Sequence, residues 1–203
     1  MISNLLQATR FIDSDNPHII EFAQQTTAHC SSDSEKAVAL YYAVRDQIRY
    51  DPKNIDLNPD HIKASITLLR GSGYCIEKSL VLAAAARALN IPARLGFANV
   101  RNHLATDKFI AALRTDVFVY HGYVSLFTAG KWTKATPAFN LSLCEKFGVA
   151  PLEYDAQSDS IFQEYDAKGE RKYMEYLQYH GEFDDFPFDN FVQELRIHYP
   201  HFF

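Results

Sequence analysis

Apolar and polar residues follow two different periods along this chain, and the change between them divides it. Over roughly the first ninety residues, apolar positions recur every three to four, the spacing of helices with one buried face. Asn16–Ala28 places Pro17 at an early helical position and carries Ile19, Ile20, Phe22 and Ala23. Ser32 and Glu35 have capping-box spacing and open a second helix, predicted to run to about Ile48. Its buried stripe is Val38, Leu40, Tyr41, Val44 and Ile48. Arg49-Tyr50-Asp51-Pro52 ends it, because the residue before proline avoids helical geometry. Lys53–Pro59 reads as a loop and about His61–Leu69 as a short helix. Cys75–Leu89, rich in alanine and leucine, reads as a buried helix closed by Asn90-Ile91-Pro92. From Arg94 the period shortens. Arg94–Val100 and Val117–Phe127 are rich in Val, Phe and Tyr and read as strands. The second has apolar residues at both parities, which predicts burial on both faces. Ala129-Gly130 marks a turn, and Trp132–Ala135 a return strand. Further helices are expected near Glu170–Gln178 and Asp189–Ile197. Helices followed by an antiparallel sheet make the fold class α+β.

Composition sharpens this. A chain of 203 residues, 47% hydrophobic, supports one compact core with an appendage. Residues 1–144 carry a net charge of +3 and residues 145–203 a net of −8, and the second part holds 14 of the 28 aromatic residues. An acidic tail poor in aromatics would stay disordered. This one is expected to pack on the core, which gives a core at 1–144 and a C-terminal extension at 145–203. The overall charge of −5 argues against a nucleic-acid partner. No apolar run reaches the roughly 18 residues of a membrane span, so no membrane partner is expected. Met1–Thr9 lacks the features of a signal peptide, and a cytoplasmic location is the expectation. Three cysteines (Cys30, Cys75 and Cys144) with no CxxC give neither a disulfide framework nor a zinc ribbon. The eight histidines are scattered and form no HExxH, and there is no phosphate loop or dinucleotide fingerprint. Neither a metal nor a cofactor is expected.

Two residues carry candidate chemistry. Cys75 follows the Gly71-Ser72-Gly73-Tyr74 turn and starts an apolar helix. A helix N-terminus presents unpaired N–H groups and the positive end of the dipole, which favour a thiolate and an oxyanion. The paired glycines would let a substrate backbone approach. His121 lies inside an apolar strand, where an imidazole needs a reason to be buried; a general base beside a thiol is one. Gly122 beside it suits a close substrate or a packed helix.

The segment Gly73-Tyr74-Cys75, then Ser79-Leu80 and Ala86-Arg87-Ala88-Leu89-Asn90-Ile91-Pro92-Ala93-Arg94, resembles the nucleophile helix of the transglutaminase-like superfamily. His121-Gly122-Tyr123-Val124, then Gly130-Lys131-Trp132 and Thr136-Pro137, resembles that family's histidine strand and following hairpin. The likeness covers roughly residues 35–140. It implies a papain-like fold and a Cys-His-Asp triad that attacks a carboxamide or peptide carbonyl through a thioester. Cys75 then maps to the nucleophile and His121 to the base. The family Asp falls at Thr136, a departure, since a threonine accepts a hydrogen bond but brings no charge. Asn140, four residues on, is a second candidate for orienting the imidazole; Asp107 and Asp116 are weaker ones. Tyr74 and Gly73 map to the oxyanion side of the cleft, and Tyr50 is placed to add a hydroxyl. The implied partner is a peptide or protein substrate, and the absence of an EF-hand loop gives no expectation of calcium. Two functions compete: hydrolysis or transamidation at Cys75, or a catalytically decayed module that binds a peptide or protein in the cleft. For the acidic extension an extra packing layer is the expectation, with a cover over part of that cleft as the alternative.

Overall fold

Four helices build the half of the molecule that precedes the sheet. The computed structural model describes residues 2–52, 55–103, 107–161, 168 and 173–203. Helix α1 (Pro17–Thr26) opens with the Asn16 side chain accepting the His18 N–H at 3.0 Å. Helix α2 (Asp33–Gln47) opens with the reciprocal Ser32–Glu35 capping box. The chain then makes a two-residue strand, β1 (Arg49–Tyr50), and helix α3 (Ala64–Arg70). Gly71 closes α3 at φ +67°, a left-handed position that favours glycine. Strand β2 (Ser72–Gly73) pairs in parallel with β1 and delivers the chain to α4 (Cys75–Ala88).

Helix α4 is the centre of the molecule. Every residue from Ile76 to Arg87 is buried. Helices α1, α2 and α3 pack on it from one side, and the sheet from the other. That accounts for its composition: an alanine-rich helix lets neighbours approach on all faces, and no polar stripe is needed. At its far end the buried Arg87 guanidinium donates to the carbonyls of Ala93 (2.8 Å), Gln7 (2.8 Å) and Asp184 (2.6 Å), tying three distant segments together.

The sheet has four antiparallel strands in the order β5-β4-β3-β6. They are β3 (Ala93–Asn102), β4 (Val117–Thr128), β5 (Lys131–Ala135) and β6 (Met174–Phe183). Between them lie α5 (Asp107–Leu113), between β3 and β4, and α6 (Leu141–Phe147), between β5 and β6; α7 (Phe188–His198) follows β6. Strand β4 is buried on both faces from Val119 to Leu126. Residues beyond 145 supply the strand zipped along β3 and, through Phe191 and Leu195 of α7, part of the core beside β4.

One element is corrected. A helix was expected over Glu170–Gln178; residues 170–172 lie outside the described set, and Met174–Phe183 is a strand. The reason is a bulge. Tyr176 pairs with Val100 and Tyr179 with Ala98, so two residues three apart in sequence stand two apart on the partner strand. Their rings stack 4.8 Å apart at 2°. A strand with an extra residue loses the strict alternation by which a strand is read. Helices α5 and α6 lack a clear apolar period and were not expected; Asp107, read as a loop residue, opens α5.

Candidate active site

Cys75 is the first residue of α4, and the segment before it is held from both sides. The N–H of Arg49 donates to Gly71 O and that of Asp51 to Gly73 O, both at 2.9 Å. The Tyr74 N–H donates to the buried Glu77 carboxylate at 3.2 Å, and Glu77 pairs with Arg70 at 2.5 Å. A Cβ on Gly73 would fall 2.9 Å from the Glu77 side chain. Gly73 is therefore small to make room for this cap, and it does not line the cleft. Gly122 has a similar reason: a Cβ there would lie 3.2 Å from the Ile76 Cα. Of the two roles open to it, the packed helix is what sits against it.

These contacts bring Cys75 and His121 to the wall of one cavity of about 480 Å³. Tyr50, Tyr74, Phe139 and Tyr173 share that wall, and Arg49 and Lys146 contribute cations. Cys75 is partly exposed. Burial of its sulfur pushes the thiol up to about 11, against the pull of backbone N–H groups of Gly122, Ile76 and Cys75 itself. His121 is 4% exposed, and burial alone pushes its imidazole down to about 4. Among the described residues nothing hydrogen-bonds its ring, and its nearest aromatic neighbour is Phe139, with ring centres 6.5 Å apart. At neutral pH both groups are therefore uncharged.

The remaining expected site residues fall into two sets. Tyr50 and Tyr74 line the cavity with Cys75 and His121. Among the described residues the Tyr74 hydroxyl is buried with no hydrogen-bond partner, and the Tyr50 ring stands edge-on to Phe139 at 4.9 Å. Thr136 and Asn140 do not line it. The Thr136 hydroxyl is buried without a partner among the described residues, while its N–H donates to Ser160 O at 2.9 Å. The Asn140 amide is committed to the backbone. Its oxygen accepts the Tyr50 N–H at 2.6 Å, and its nitrogen donates to Ile48 O at 2.9 Å and to Arg45 O. Asp116 pairs with Arg101 at 3.3 Å in the approach to β4. Sequence reasoning passed over Glu77, although it stands at the N3 position behind the cysteine, where an acidic side chain caps a helix. Among the described residues no cluster of His, Cys, Asp and Glu could hold a metal ion, and no helix is long and apolar enough to cross a membrane.

A model of the transglutaminase-like superfamily matches residues 20–137, more than half of the chain, and spans Cys75, His121 and Thr136. The chain belongs to the transglutaminase-like superfamily. No curated protein matches it. Among solved structures, the "putative cysteine protease" from Cytophaga hutchinsonii superposes with a TM-score of 0.52 at 17% identity, over 91% of this chain and 57% of that one. A "putative protease" from Parabacteroides distasonis ATCC 8503 gives 0.41 at 18% identity, over 58% of this chain and 22% of that one. This superfamily member thus spans a little over half the length of the Cytophaga protein, whose likeness bears on the fold: helices and an antiparallel sheet in the papain-like α+β arrangement.

Proposed function

We propose that the cavity is a cysteine-dependent acyl-transfer site acting on an amide or peptide carbonyl, with Cys75 as nucleophile and His121 as general base and then acid. The observation that carries this reading is the shared cavity: a thiol at a helix N-terminus and an otherwise unpartnered imidazole on one wall, with backbone N–H groups aimed at the sulfur. Because both groups rest uncharged, the proton moves as the bond forms. The sulfur attacks the carbonyl carbon while His121 takes the thiol proton. The N–H groups at the helix start face the charge that develops on the carbonyl oxygen. Collapse expels the amine, which leaves with the proton from His121 and a thioester on Cys75. Water or a second amine then resolves the thioester, giving hydrolysis or transamidation. The aromatic and aliphatic wall suits a peptide or protein substrate with a bulky apolar group near the scissile carbonyl.

Thr136 at the family's Asp position favours a second reading, a module that binds a peptide without turning it over. Without a carboxylate, an imidazolium at His121 has nothing to stabilise it. Release of amine from peptide amides and glutamine-containing peptides separates the two. The enzyme reading expects turnover that Cys75→Ala abolishes. The binding reading expects peptide affinity, with any residual hydrolysis indifferent to Cys75→Ala.

A further inference from the structure

Strand β4 changes character halfway along. From Gly122 to Leu126 it pairs residue for residue with β3, Gly122 opposite Phe97 and Leu126 opposite Ala93. His121 keeps that register, and below it the register slips. His121 lies opposite Ala98 and Phe118 opposite Val100, so Val119 and Tyr120 together face the single Asn99. Tyr120 has φ +59°, in the left-handed region that non-glycine residues avoid. The effect is visible on the cavity wall. Four consecutive residues, Phe118 to His121, line it, whereas a regular strand presents alternate residues to one side.

A bulge strips backbone groups of their ladder partners, and here two side chains replace them. The Asn99 oxygen accepts the Tyr120 N–H at 3.0 Å. The Tyr199 hydroxyl accepts the Val119 N–H at 2.9 Å and donates to Val117 O at 2.6 Å. A backbone N–H can only donate, so the Asn99 atom facing Tyr120 is its oxygen. The His180 Nε2 that lies 2.8 Å from the same oxygen must then carry its proton. His180 is the extra residue of a second bulge, since Gly181 pairs with Phe97 and Tyr179 with Ala98. One buried carboxamide therefore ties the irregular points of both strands flanking β3.

We propose that Asn99 is a positioning residue for the candidate active site. It is buried and does not line the cavity. It holds Tyr120, which is followed directly by His121 and then by Gly122, whose N–H faces the Cys75 sulfur. Fixing Tyr120 in its left-handed conformation fixes where the imidazole and that N–H stand. The inference rests on reading Cys75 and His121 as nucleophile and base, and the test keeps the two apart.

The His121 ring is titrated by NMR, and acetylation of Cys75 by p-nitrophenyl acetate is followed by intact mass. Asn99→Ala removes the acceptor. It is expected to move the His121 titration from about 4 toward the ordinary value of about 6.5 and to slow acetylation by at least about 10-fold. Asn99→Asp keeps the oxygen and is expected to restore both. Should Asn99→Ala fail to fold, Tyr199→Phe removes the companion hydroxyl with little change in packing and is expected to shift both readings the same way. A folded Asn99→Ala protein with His121 titrating as in the parent overturns the proposal, as does an unaltered Tyr199→Phe where it is the variant read. A His121 titration that moves while acetylation does not keeps the Asn99 clasp and overturns the nucleophile reading beneath it.

Discussion

Cys75 and Lys78 are one turn apart on α4 yet belong to two polar clusters of opposite character. Around Lys78 the polar groups are paired. Its ammonium donates to Arg45 O at 2.8 Å, Asn140 bonds three backbone groups, and Asp46 accepts the Arg45 guanidinium at 2.7 Å and the Leu141 N–H at 2.9 Å. This cluster satisfies the carbonyls at the end of α2 and joins them to the start of α6, so it serves folding. Around Cys75 the pairing is left open: among the described residues the His121 ring and the Tyr74 hydroxyl, both on the cavity wall, are buried without side-chain partners. Unpaired buried polar groups cost stability. That contrast fits the proposed function, in which a substrate supplies the partners that the second cluster lacks.

The contrast can be broken from either side. The largest expected stability loss comes from the paired cluster. Asn140→Ala leaves the Tyr50 N–H and the Ile48 carbonyl without their bonds, and is expected to cost about 3 kcal/mol, or roughly 10 °C in Tm by calorimetry. Cys75→Ala, in the open cluster, is expected to stay within about 1 kcal/mol of the parent. A smaller, pH-dependent effect belongs to His121. Its folded pKa of about 4 lies below the unfolded value of about 6.5, so the unfolded chain binds a proton that the native protein refuses. Stability is fully present above pH 6.5 and falls as the pH drops toward 4, by about 2 kcal/mol at pH 5. Denaturant titrations at several pH values are expected to show a slope in this window that His121→Ala reduces, the remainder belonging to His180, whose imidazole burial also lowers. A slope that the substitution leaves unchanged would mean the imidazole is not the buried neutral group described here.

Much of this organisation was legible in the sequence, and the exceptions share a cause. The helices through α4 were readable because Ser32, Gly71 and the alanine-rich run after Cys75 act locally, through caps, a left-handed turn and close packing. Cys75 and His121 stood out because a cysteine after Gly73-Tyr74 and a histidine within a Val-Tyr run are out of place unless something uses them. Strand β6 was not readable, because its bulges break the alternation that announces a strand. The commitment of Asn140 to the turn around Tyr50 was hidden for a different reason: its partners lie about 90 residues away in the chain. Asn99 gave only one weak signal, an amide in the interior of a strand, where asparagine is disfavoured. Its importance comes from a register slip that no local pattern announces.

The central claim is that Cys75 attacks a carbonyl with His121 taking its proton. The most direct test is competition between Cys75 and the partly exposed Cys30 of the same chain for p-nitrophenyl acetate at neutral pH, read by peptide mass. Cys75 is predicted to be acetylated faster than Cys30, and His121→Ala is predicted to abolish that advantage. Iodoacetamide, which forms no oxyanion and needs a ready thiolate, should not favour Cys75, since burial holds its thiol near 11. Acetylation of Cys30 ahead of Cys75, or a Cys75 rate indifferent to His121→Ala, would contradict the account and leave the cavity a binding site.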